Sequence, residues 1–454
     1  VGTGLVAATA AGAGYYFYGR QPSPTRTETA TIPKGWESAT TYLRNNPPVI
    51  SEIDVKPKYI NPTTETIMRF SHSSYDADND PLSTKWLIDG EDISHEPEYS
   101  TKLSEGDHSI ALKVSDGKSE AMRSTTVTVD SDQIYPAKPL RVKYRGVNYC
   151  VGKPMAPEFP DYPTPNTDQI DEELDNIHND LGCNAIIIAA GADSEDDLIE
   201  CARMALQKEF FDRIYIEPHY WQYSIDETVE KLARFAPKVK SLREASQVIH
   251  FMVGHEFSLE TSGIVPGDNW FERVDYCVKN PDWADRVWAT FPRMFKDIIA
   301  ACKENYGYKI SYAAISYAEI DAVPWSDPLF ESVGIDVGLV PAVGATEEVF
   351  FKQLSELKTR LGKPVIVPDF ACLTYTGAEQ WGGAVLPNAW ENGPYDEDAQ
   401  AKYIKSYCDV LSRARIEGCF YWQYKNDFDK AEGLFSGTKR KKGFYMYKSY
   451  QRTT

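Results

Sequence analysis

VIHFMVGHE, residues 248–256, is a short apolar run that ends on two ionisable side chains, and seven other runs of the same texture share the chain with it. VKYRGVNYC (142–150), NAIIIAAG (184–191) and RIYIEPHY (213–220) precede it; KISYAAIS (309–316), VGIDVGLVP (333–341), PVIVPDFAC (364–372) and CFYWQYK (419–425) follow. Amphipathic stretches lie between most of them. In TDQIDEELDNIHNDLG, Thr167 is the expected N-cap and Gly182 the stop; in EEVFFKQLSELKTRLG the stop is Gly362. Apolar β-branched runs that alternate with amphipathic ones predict parallel α/β architecture. Eight such units over about 310 residues suit a closed (β/α)8 TIM barrel with extended loops, here from Arg141 to Thr454. An open doubly wound sheet is the alternative, but no G-x-G-x-x-G follows the first run.

Upstream of Arg141 the texture changes. ISEIDV, TIMRFSHS, STKWLIDG, HSIALKVSDG and STTVTVD are short alternating runs between turn residues, and they predict a small β-sandwich over residues 48–131, with 132–140 as linker. The order of DADNDPLSTKWLIDG, then LSEGDHSIALKVSDGKSEAMRSTTVTV, resembles the polycystic-kidney-disease (PKD) type of immunoglobulin-like module. That resemblance makes Trp86 the core tryptophan of the central strand and implies a spacer or glycan-adhesive role. Asp76, Asp78 and Asp80 invite a calcium reading, but they stand where such modules carry an acidic turn before the tryptophan strand, and the turn is the preferred reading.

The first residues, VGTGLVAATAAGAGYYFY, carry no charge and end on an aromatic cluster before Arg20. Residues 1–20 are expected to be a membrane segment or a segment buried in self-assembly, with a signal-peptide remnant as a third reading; the start without Met points to a missing or processed upstream part. Residues 21–47, rich in Pro and Thr, predict an extended tether. An anchor, a stalk and an adhesive module together predict an extracellular, cell-surface location.

Composition bounds the chemistry. At 454 residues, 42% hydrophobic and 25% charged, the chain is an ordinary globular protein of two or three folded units. Forty-eight Lys and Arg against 67 Asp and Glu leave a net charge of -19, which repels a phosphate backbone, so no nucleic-acid partner is expected. The aromatic share, 13%, suits stacking on sugar rings as well as core packing. The eight cysteines, none in a CxxC pair, read as buried small hydrophobes, with one or two disulfides allowed in an oxidising compartment. Lys439-Arg440-Lys441-Lys442 reads as a solvated hairpin turn.

In a (β/α)8 barrel the active site sits at the C-terminal strand ends. There the third run offers Glu217 and His219, the fourth His255 and Glu256, the seventh Asp369, and the eighth Trp422 and leads to Asn426-Asp427; the fifth leads to Glu319. A carboxylate directly after an apolar run costs several kcal/mol if it is buried without partner or role. With RGVNY on its first strand, a Glu ending the fourth and an acid ending the seventh, the barrel resembles the clan A glycoside hydrolases. GKPVIVPDFACLTYTGAEQWGGA and VGHEFSL resemble more closely the barrel group often labelled abortive-infection proteins. The resemblance implies Glu256 as general acid and Asp369 as nucleophile or water-activating base, acting on a polysaccharide or surface glycan. His219, His255, Glu217, Trp422, Trp381 and Tyr375 would bind the sugar, and no cofactor is required. Glu217 and His219 are read as sugar-binding groups in preference to zinc ligands, so no metal is expected. Two departures keep a second class open. Asp369 stands where the pattern has Glu and His255 where it has Asn, which suits a catalytically altered barrel serving as a filament, surface or glycan-binding protein.

Overall fold

The computed structural model describes residues 45–153, 164–336, 338–383, 393–426 and 430–453. The expected segment 1–20 and nearly all of the tether lie outside the described residues, as do Trp390 and Asp427. Among the described residues no helix is long and apolar enough to cross a membrane.

Seven antiparallel strands come first: β1 (Val49–Lys56), β2 (Met68–Tyr75), β3 (Ser83–Ile88), β4 (Glu91–Ser94), β5 (Tyr99–Thr101), β6 (Gly106–Ser115) and β7 (Glu120–Val129). They form a three-stranded sheet, β1-β2-β5, and a four-stranded sheet, β4-β3-β6-β7. Both contribute to one core, with Met68 and Phe70 from the first and Ile110, Leu112 and Val114 from the second around Trp86 on the central β3. The indole N–H of Trp86 donates to the Glu96 carbonyl at 3.1 Å, so the large ring is buried with its polar atom bonded. Asp76 Oδ1 accepts the backbone N–H groups of Asp78 and Asp80, and Lys118 lies 2.7 Å from Asp80. The acids thus form a turn.

β8 (Lys138–Leu140) leads into eight parallel strands: β9 (Tyr144–Cys150), β10 (Ala185–Gly191), β11 (Arg213–His219), β12 (Ile249–His255), β13 (Ile310–Ala314), β14 (Val333–Ile335), β15 (Val365–Phe370) and β16 (Gly418–Tyr421). Each pairs with the next and β16 pairs with β9, closing the barrel. Helices lie outside it, among them Glu195–Gln207, Ile225–Ala245, Trp283–Asn305, Glu347–Leu361 and Glu397–Ala414. With both strand faces covered, β10 and β12 are buried at every residue, which is why they read as continuous apolar runs without alternation. The faces still differ. Tyr144, Ala185, Ile187, Tyr215, Met252, Ala313, Ile366 and Phe420 fill the barrel interior, while alternate residues such as Ile186, Ile188 and Ile216 join the large core that includes the helices.

Four expectations are corrected. The N-cap of the first barrel helix, Thr167–Asp175, is Asn166, whose Oδ1 accepts the Gln169 N–H at 3.0 Å; Thr167 is already helical. The sixth strand stops at Ile335, so Val340 to Ala342 belong to a later turn. The linker is partly structured: β8 pairs in parallel with the last strand, β19 (Tyr450–Arg452), which follows the two-stranded hairpin β17 (Phe435–Ser436) and β18 (Lys439–Arg440). The basic run sits on that hairpin only through Lys439, which is exposed as expected, and Arg440; its middle is not solvated. Arg440 is buried against Asp180, and Lys441, fully buried, donates to Thr374 Oγ1 and the Ala431 carbonyl. These cations hold the barrel together. The Glu172 carboxylate ties in the β-sandwich by accepting the backbone N–H groups of Lys58, Tyr59 and Ile60. All eight cysteines are free, and only Cys277 is less than fully buried.

Candidate active site

The inward face of β11 runs from Tyr215 through Glu217 to His219, because side chains alternate along a strand. On β12 the pairing register with β13 shifts between Met252 and His255. Gly254 sits in that shift with φ +154°, and a Cβ there would lie 2.3 Å from the Phe257 ring. Glu256 follows in a left-handed conformation, φ +42°, which costs a non-glycine residue about 1–2 kcal/mol. Such an outlier at a cleft is a pointer to function. The pairing of β15 with β16 shifts too, between Val367 and Phe370, where Asp369 enters the cleft. Asp336 follows the shortened β14 and accepts the Asp369 backbone N–H at 3.0 Å.

His255 is the hub. Its Nε2 lies 3.2 Å from Glu256 Oε1, 3.7 Å from Asp369 Oδ2 and 3.8 Å from Asp336 Oδ2, and its Nδ1 lies 3.8 Å from Glu217 Oε1. Sharing one nitrogen caps the separation of these Glu256 and Asp369 oxygens at roughly 7 Å, below the upper limit of about 9.5 Å over which paired carboxyls work on glycosidic bonds. Above them opens a cleft of about 610 Å³. Trp221, Trp270, Trp283, Trp381 and Trp422 line it. The Trp270 indole donates to Glu256 Oε2 and that of Trp422 to Glu432 Oε1, each at 3.2 Å.

Acid dominates this cleft. Among the described residues lining it there is no Arg or Lys. Removal from water, with Glu256, Glu432 and Glu217 nearby, pushes Asp369 up to about 8 against the pull of His255. Burial also raises Asp336, Glu260 and Glu432. Burial disfavours a charged imidazole, yet Glu260 and Glu217 outweigh it and push His219 up to about 9; His255 is raised by Asp336, Glu256 and Glu217.

Five of the expected site residues therefore converge: Glu217, His219, His255, Glu256 and Asp369. Trp422 and Trp381 line the same cleft. Tyr375 does not belong there. It is buried in the large core, where the chain turns back from β15 and bridges to Tyr395. Glu319 is also apart from the cleft, fully buried and accepting from the Tyr312 hydroxyl and the Ser258 and Ile315 N–H groups. Asp336, Glu260 and Glu432 were not anticipated. For Asp336 a signal existed, an acid inside the apolar run VGIDVG; Glu260 reaches the cleft from the end of the short helix Phe257–Glu260 and Glu432 from a loop, and neither had one.

No known family profile matches the chain, and no curated protein matches it. Among solved structures, it is similar to a β-glucuronidase of Parabacteroides merdae at 10% identity and TM-score 0.43, covering 90% of this chain and 53% of that one. A fungal β-1,4-galactanase is similar at 15% identity and TM-score 0.43, over 67% of this chain and 99% of its own. The Ignisphaera aggregans GH53 catalytic domain is similar at 17% and 0.43, over 70% and 99%. This chain thus spans about half the glucuronidase chain. Likenesses so distant carry no residue correspondence, and the cleft's chemistry rests on its own groups.

Proposed function

We propose that the cleft hydrolyses a glycosidic bond in a polysaccharide or surface glycan, with Glu256 and Asp369 as the working pair. One observation carries this reading. Two carboxyl groups from the ends of the fourth and seventh strands meet on a single histidine at the floor of an open, tryptophan-lined cleft. Such a pair can divide the work, one carboxyl protonating the leaving oxygen while the other attacks the anomeric carbon or activates water. The indoles offer flat apolar faces to sugar rings, and the surrounding acids accept hydrogen bonds from hydroxyls.

The test is reducing-end release from a glycan panel by wild type, Glu256→Gln and Asp369→Asn. Each variant is expected to lose activity by about 10²–10⁴-fold. Equal release from all three would remove the pair from the mechanism. Glycan binding without release by the wild type would replace the hydrolase with the binding-barrel reading.

A further inference from the structure

The deepest part of the cleft contains groups that acid–base chemistry at Glu256 and Asp369 does not use. Glu217 is fully buried, and neither of its carboxylate oxygens has a hydrogen-bond partner; His219, 1% exposed, likewise has an unpartnered Nε2. The two groups face each other, with His219 Nε2 3.5 Å from Glu217 Oε2 and His255 Nδ1 3.8 Å from Glu217 Oε1. One ligand atom from each of the three residues lies within 4.8 Å of the others. Burying a carboxylate without hydrogen bonds is unfavourable, and this one is aimed at two imidazole nitrogens.

We propose that Glu217, His219 and His255 hold a divalent first-row transition ion, best suited to Zn²⁺, at the floor of the cleft. Metal–ligand bonds of about 2.0–2.2 Å place tetrahedral ligand atoms roughly 3.3–3.6 Å apart; the His219–Glu217 pair at 3.5 Å meets that spacing, and the His255–Glu217 pair at 3.8 Å, on the other carboxylate oxygen, closes to it with a small side-chain shift. Two imidazoles and one carboxylate form a borderline donor set that favours such ions over Mg²⁺ or Ca²⁺, which take oxygen. The outer support is built as well. Glu260 Oε1 lies 2.8 Å from His219 Nδ1, and a proton held in that contact leaves the Nε2 lone pair facing Glu217. The Trp221 indole N–H is aimed at the same Nδ1 at 3.1 Å, so Nδ1 serves either Glu260 as donor or Trp221 as acceptor, and a metal ion on Nε2 selects the Glu260 bond. His219 and His255 both line the open cleft, which leaves an entry path and free coordination positions on the solvent side. Asp76, Asp78 and Asp80 differ in that Asp76 Oδ1 already accepts two backbone N–H groups and Asp80 already pairs with Lys118, although Asp76 Oδ2 has no hydrogen-bond partner.

The inference shares His255 with the hydrolase reading, but its test does not measure sugar release. The purified full chain is stripped with a chelator, dialysed, and titrated with Co²⁺ and with Zn²⁺. Wild type is expected to take up about one equivalent, to show the visible bands of Co²⁺ in a low-symmetry nitrogen–oxygen site, and to gain several degrees in Tm with excess Zn²⁺. Glu217→Gln and His219→Gln should lose the bands and the Tm gain, while Asp80→Asn in the β-sandwich keeps both. Where a cleft variant fails to fold, protection of wild-type histidines from diethyl pyrocarbonate by Zn²⁺ decides instead. Wild-type uptake well below one equivalent, bands retained in Glu217→Gln, or histidines modified equally with and without Zn²⁺ would overturn the site. A chain that binds Zn²⁺ and cleaves no glycan would sink the hydrolase and leave the metal site standing.

Discussion

The two ends of the barrel use the same residue types on the same strands and reach opposite outcomes. At the N-terminal end, β11 starts with Arg213, β12 carries His250, and Glu331 precedes β14. Both Glu331 oxygens are held: His250 Nδ1 lies 2.9 and 3.0 Å from them, Ser311 donates at 3.2 Å, and Arg213 stands 3.4 Å away. Burial would raise this carboxyl, but His250, Arg213 and Ser311 outweigh burial and lower it. At the C-terminal end the same two strands finish in Glu217, His219 and His255; among the described residues lining the cleft there is no Arg or Lys, and the Glu217 oxygens make no hydrogen bond and face only the two imidazoles, at 3.5 and 3.8 Å. A buried charge is therefore not itself a sign of function. The sign is a buried charge whose partners are missing.

Removing one partner from the satisfied end should have the largest effect. Glu331→Ala leaves Arg213 and His250 facing each other without their anion, and is expected to cost about 3 kcal/mol in urea unfolding. A loss under about 0.5 kcal/mol would erase the contrast between the ends.

The pH dependence should run in opposite directions for two glutamates. Glu331 is lowered, so its contribution is present above the unfolded value of about 4.3 and is lost as pH falls through its folded value. His250, lowered by burial and by Arg213 and Arg243 despite Glu331, adds loss below about 6.5. Glu319, beyond the C-terminal end of β13, is raised to about 7 by burial despite its hydrogen bonds. Its contribution is full below about 4.3 and declines as pH rises toward its folded value. Glu319→Gln should flatten the decline between about pH 4.3 and 7, and Glu331→Gln the loss below about pH 4.3; unchanged slopes would show that neither group governs.

The smallest change is expected at the unsatisfied end. In chelator-treated protein, Glu217→Gln should shift stability by no more than about 1 kcal/mol in either direction, because no hydrogen bond to the carboxylate is lost. A loss matching that of Glu331→Ala would mean that the imidazoles already serve as its full partners.

Strand positions were legible because each run is buried on both faces and must be apolar throughout. Catalytic candidates were legible where an acid or histidine directly ended such a run, as at His255-Glu256 and Asp369. Asp336 escaped because the sixth run continues in apolar residues to Pro341 although pairing stops at Ile335. The argument made for Asp369, that an acid in an apolar run needs a reason, applied to it equally. Tyr375 was misplaced for the converse reason: nearness to Asp369 in the chain says nothing about which way the chain turns after β15. Arg440 and Lys441 read as surface charge, since their partners Asp180 and Thr374 lie far away in sequence.

Hydrophobic patterning was enough to set eight closing strands, a β-sandwich ahead of them, and the end of the barrel where chemistry can occur, because burial acts on each segment through its own side chains. Whether a given histidine or glutamate is satisfied or waiting for a ligand was not written in any segment. His250 and His255 sit on one strand and differ only in what faces them, which the register shift at Gly254 and the meeting of β11, β12, β14 and β15 settle across the barrel. Electrostatics depends on distances between residues remote in the chain, and those distances come into being only on folding.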